Sequence, residues 1–126
     1  MTVSVAWEDR ANTVIRITFR HHWSWDDALA ARRETGMMLE QVDHLVSLIV
    51  CWDNENWLPG DSQQKLLVLV RDTHPRLERV VIVRRNTIFQ QFFRLFDLLY
   101  DVPFELAYVR TVEAARQMLL PASYPV

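Results

Sequence analysis

The sequence predicts a single α/β domain over residues 1–126, with one mixed sheet that opens with an antiparallel hairpin and continues in the order β-β-α-β-α-β-α-β-α. Three observations predict it. Two short β-branched segments at the N-terminus are joined by a polar connection, as in a hairpin. Three later runs, "LVSLIVCW" (45–52), "RVVIV" (79–83) and "PFELAYV" (103–109), are largely apolar, as strands covered on both faces are. Between and after them lie capped segments able to form helices, and strands alternating with helices imply parallel pairing by right-handed crossovers.

The elements follow in order. "TVSVAW" (2–7) and "TVIRITF" (13–19) are the hairpin strands, and "EDRAN" (8–12) is their turn. In the second strand, Val14, Arg16 and Thr18 oppose Ile15, Ile17 and Phe19. "WSWDDALAARRETGMMLEQVDH" (23–44) predicts the first helix. Ser24 is its N-cap, and Asp26 and Asp27 sit in the first turn, where the helix dipole favours negative charge. Trp25, Ala28, Leu29, Gly36 and Leu39 share one side. Gly36 costs about 1 kcal/mol against Ala in a helix interior, which close packing of the helix on the sheet would explain. After strand 45–52, "SQQKLLVLVRDTH" (62–74) is expected as a helix ended by Pro75. "NTIFQQFFRLFDLLYD" (86–101) is the next helix, and "TVEAARQMLLP" (111–121) closes the chain, with Thr111 as cap and Pro121 as stop.

Composition narrows the function. The chain is 50% hydrophobic and 24% charged, with a net charge of −2, so no basic footprint for nucleic acid is present. The single cysteine, Cys51, ends an apolar run and is expected as a buried small hydrophobe. The N-terminus lacks the basic start and apolar core of a signal peptide, and no apolar run approaches the ~20 residues of a transmembrane helix. A cytoplasmic protein without a membrane span is expected. His21, His22, His44 and His74 have no metal-ligand spacing. With Gly36 and Gly60 the only glycines, phosphate-cradling and dinucleotide loops are excluded. No catalytic motif, metal or cofactor is expected.

The element order, "LVSLIVCWD" leading into a loop, the "W-S-W-D-D" helix entry and the "VRTVEAARQML" closing junction together resemble the STAS (SpoIIAA-like) domain. This is the fold of anti-sigma-factor antagonists, related to the CRAL-TRIO lipid-binding group; the likeness covers nearly the whole chain and points to an uncharacterised bacterial subgroup. The resemblance implies an interaction module in signalling or partner switching. In its phosphorylated members, the loop after this strand carries an Asp and a serine that a kinase modifies. Asp53 matches that Asp, and Ser62 is the only serine at the following helix start. The sequence departs from the pattern where "NENWLPGDS" replaces a short Ser-rich turn.

Two stretches carry the candidate sites. Trp52, Asp53, Asn54, Trp57 and Asp61 lie beyond the carboxyl end of a central strand, where ligands of open α/β sheets bind. Ser62 or Asp61 caps the helix that follows, and a phosphate on Ser62 would be favoured at the same helix start. Trp52 and Trp57 either form a partner contact or fold over the sheet edge. The second stretch is the helix 86–101. Ile88, Phe92, Leu95, Phe96 and Leu99 form one stripe, and Phe89, Phe93, Leu98 and Tyr100 widen it beyond what one sheet face needs. The excess would be covered by the neighbouring helix, by a second subunit or by a ligand; the favoured expectation is an interface whose aromatic residues are Phe89, Phe93, Phe96 and Tyr100, most simply a homodimer. The leading expectation is a non-enzymatic interaction module; the alternative is a carrier whose apolar helix and Trp57 line a cavity for a small molecule or lipid. An enzyme using Asp53 would need a partner group for acid–base work that the sequence does not display.

Overall fold

The computed structural model describes residues 2–20, 22–52, 74–83 and 104–120. These contain β1 (Val3–Trp7), β2 (Val14–Phe19), α1 (Trp25–Glu40), β3 (Val46–Trp52), β4 (Leu77–Val83), β5 (Glu105–Val109) and α2 (Val112–Leu119). The five strands form one mixed sheet in sequential order, with β1–β2 antiparallel and the other pairs parallel. The class is α/β, and the described elements read β-β-α-β-β-β-α, which does not reproduce the full alternating order. Of the expected helix 62–74 only His74 is described, and it is not helical; the expected helix 86–101 lies outside the described residues. The intervals 53–73 and 84–103 each exceed the about a dozen residues that a parallel crossover needs.

The hairpin turn is organised by one buried carboxylate. Asp9 accepts from the backbone N–H groups of Thr13 (2.9 Å) and Val14 (3.1 Å) and from the Thr13 hydroxyl. This leaves Asn12 left-handed at φ 57°, a conformation Asn tolerates better than most residues.

α1 begins at a complete capping box. The Ser24 side chain accepts from the Asp27 N–H, and the Asp27 carboxylate accepts from the Ser24 N–H at 3.0 Å. Asp27 also accepts from the Thr2 hydroxyl at 2.6 Å, which ties the helix start to the chain entering β1. Ala28, Ala31, Thr35 and Leu39 are the buried stripe; two alanines let the helix axis approach the sheet, and the Thr35 hydroxyl is satisfied by the Ala31 carbonyl at 2.8 Å. The helix ends at Glu40, short of His44. Close packing is not the reason for Gly36: a Cβ built there meets nothing within 4 Å, because the residue sits on the flank of the helix rather than in the buried stripe.

The helices cover opposite faces. On the α1 side the core gathers Val3, Ile15, Ile17, Phe19, Val46, Leu48, Val50, Val80 and Ile82. On the α2 side it is smaller, built from Val14, Ile49, Cys51, Val81, Val83, Ala115 and Leu120. The alternation in 13–19 is thus realised, and β3 is covered on both faces with Cys51 buried, as expected for a continuous apolar run, although Leu45, expected to open it, lies outside the strand and is exposed. β4 starts at Leu77, two residues before the sequence suggests. A register shift at Val46/Ser47 skips Glu78, so Leu77 and Val80 reach the same face despite their odd spacing. α2 is capped by Thr111, which accepts from the Ala114 N–H at 3.0 Å.

Ionic contacts join the pieces. Glu8, at the end of β1, takes Arg116 of α2 at 2.5 Å and Arg16 of β2 at 3.4 Å. At the far end of α1, Arg76 donates to the Leu39 carbonyl at 3.1 Å, and His74 Nε2 meets Glu40 at 2.7 Å. The Arg76 N–H donates to His74 Nδ1, so the ring proton lies on Nε2, toward Glu40. Arg79 and Glu105, register partners on β4 and β5, are paired at 2.9 Å. No helix among the described residues is long and apolar enough to cross a membrane.

Candidate functional site

The parallel strands β2, β3, β4 and β5 end at Phe19, Trp52, Val83 and Val109, and these mark the carboxyl edge, where α/β sheets bind ligands. Phe19 and Trp52 are register partners on adjacent strands, with side chains on the α1 face. Neighbouring strands lie about 4.8 Å apart, so same-face aromatic rings at one register level stack. Their centroids are 5.2 Å apart and their planes 14° from parallel. Trp23, buried just before α1, leans on Phe19 at 4.7 Å and 58°. Trp25, the first residue of α1, meets Trp23 edge-on at 4.9 Å and 85°. Four aromatic residues thus run as a contiguous row from the start of α1 to the end of β3.

This row has a local cause. Phe19 ends the apolar alternation of β2, and only four residues separate it from Ser24 and the capping box. The box sets the direction of α1, which brings Trp23 and Trp25 back over the strand ends. Asp27 has its carboxyl held below its ordinary value, first by the Thr2 hydroxyl and then by the Ser24 hydrogen bonds. Its Oδ2 takes both the Thr2 hydroxyl and the Ser24 N–H, so the carboxylate serves the helix start.

Trp52 is the one residue of the expected site that is described. It is half-buried, packs against the α1-side core and closes over the sheet edge, the structural alternative raised by the sequence. Asp53, Asn54, Trp57, Asp61 and Ser62 lie outside the described residues, as do Phe89, Phe93, Phe96 and Tyr100. Sequence reasoning did not connect Phe19 and Trp23 to Trp52. The signal was that Phe19 and Trp52 each end an apolar strand, so that parallel pairing brings them to one edge, together with the "WSW" step into the helix. Among the described residues, no three His, Cys, Asp or Glu side chains converge as metal ligands would.

The geometry suits a rigid platform. Stacked and edge-on aromatic pairs contribute about 0.5–1.5 kcal/mol each beyond their burial, and here they hold the strand end from which residue 53 departs. Comparison with protein-family models, with curated proteins and with solved structures gives no match.

Proposed function

We propose that this chain is a non-enzymatic interaction module of STAS-like type, acting in bacterial signalling or partner switching. The observation that supports it best is the aromatic row Phe19–Trp23–Trp25–Trp52 at the carboxyl edge. It fixes the point where the Trp-containing segment 53–61 leaves β3, and a rigid base lowers the ordering cost of a binding segment. In this reading, Trp57, with Asp53, Asn54 and Asp61, contacts the partner, Ser62 is the site where phosphorylation would change the partner's fit, and Phe89, Phe93, Phe96 and Tyr100 form the apolar interface for a protein partner or a second copy.

The test is partner retention by the intact chain against Trp57→Ala and Phe93→Asp, each checked for folding by circular dichroism. A specific partner held by the wild type and lost by a folded variant supports the module. Unchanged retention by both folded variants removes these residues from the proposal. Native mass spectrometry of gently purified protein covers the carrier alternative, since a co-purified apolar molecule would assign the same residues to a cavity.

A further inference from the structure

We infer that β1 is a self-pairing edge: two copies of the chain join their β1 strands antiparallel about a two-fold axis through Val5, making one continuous sheet. The inference stands on the strand ladder and does not depend on the function proposed above.

The ladder sets which backbone groups point outward. Arg20 donates to the Thr2 carbonyl and Glu8 to the Val14 carbonyl, so Thr2, Ser4, Ala6 and Glu8 spend their backbone groups on β2. Val3, Val5 and Trp7 alternate with them and direct N–H and C=O away from β2. β1 ends the strand order, and among the described residues no hydrogen bond engages those outward groups. Sheet edges are ordinarily blocked by charge, proline or a bulge. "VSVAW" has none of these, and its ladder with β2 runs without a shift. The opposite end of the sheet differs: β5 starts at Glu105 and is followed by Arg110.

The occupant follows from symmetry. Paired with itself about Val5, the strand sets Val5 against Val5 and Val3 against Trp7, so every outward-facing residue meets another outward-facing residue. Each pair then exchanges both backbone hydrogen bonds. On the α1 side, half-buried Trp7 and Val5 gain apolar neighbours; on the other side, Ser4 meets Ala6. No like charges oppose each other in this register: Glu8 falls across from Thr2, and its carboxylate is already engaged by Arg16 and Arg116. A five-residue strand pair covers less than the about 1,200 Å² of stable interfaces, so the dimer is weak and concentration-dependent.

The experiment is a sedimentation series on the full chain over a wide concentration range, with two variants checked for native circular dichroism. Ala6 is exposed, so Ala6→Lys buries no charge, and its β2 register partner Arg16 is already neutralised by Glu8; the variant brings cations to both sides of the axis and is expected to weaken dimerisation at least about tenfold. Ser4→Cys with Ala6→Cys places thiols on directly opposed residues, whose Cα atoms would lie about 4.5 Å apart, within disulfide reach. Oxidised glutathione should then give a covalent dimer that reductant reverses, while wild type, whose lone Cys51 is buried, gives none. A folded chain that stays monomeric throughout and does not cross-link overturns the inference. So does a dimer that Ala6→Lys leaves intact, which would move association to another surface such as residues 88–100.

Discussion

Arg16 and Ile49 sit side by side on neighbouring strands, at the same register level and on the same face of the sheet, yet they live in different surroundings. The Arg16 side chain is 38% exposed and paired with Glu8; Ile49 is 0% exposed under α2. Among the described residues, β2 is buried all along its α1 side but on the other side only at Val14, whereas β3 and β4 carry buried residues on both. That difference is the physical meaning of alternating against continuous apolar patterns. It also explains the strap from Arg116 to Glu8: where α2 no longer covers the sheet, an ionic contact takes over from apolar packing.

The comparison can be broken most directly at that register pair. Ile49→Ala is expected to cost about 2–5 kcal/mol, as cavities in closed cores do, whereas Arg16→Ala should cost no more than about 1 kcal/mol, as partly exposed ion pairs do. Urea unfolding of the two variants measures both; equal losses would mean that the outer face of the hairpin is as enclosed as the centre of the sheet.

A smaller effect of opposite sign tests the α1 side. With open space where its Cβ would be, Gly36→Ala should stabilise the protein by about 0.5–1 kcal/mol through helix propensity alone. A destabilised variant would show that α1 is packed on its flank as well as along its buried stripe.

The smallest expected effect concerns the tie between α1 and the hairpin. Asp27 is held below its ordinary value of 3.8, so its ionised form contributes stability above that pH, and the contribution is lost as pH falls through the lowered value. Thr2→Ala removes the largest cause. The carboxyl should then titrate at higher pH in an NMR titration, and acid unfolding should begin earlier. An unmoved titration would assign the depression to the capping box instead.

Much of this architecture was legible from local chemistry. The Ser24 and Thr111 caps, the two faces of 13–19, and the doubly covered strand that begins at Val46 follow from side-chain period and capping preference, which act within a few residues. Less was legible at the candidate site. Of its expected residues only Trp52 is described, and its stacking on Phe19 depends on which strands pair and in what register. The start of β4 at Leu77 was likewise hidden, because a register shift is settled between strands rather than along one.

Periodicity and capping, written in the order of residues, are enough to say which segments become strands or helices and which side of each is apolar. The Glu8–Arg116 strap, the freedom around Gly36 and the aromatic row at the carboxyl edge are different in kind. Each depends on groups far apart in the chain and brought together by sheet pairing and helix placement, a geometry that no local stretch of residues specifies.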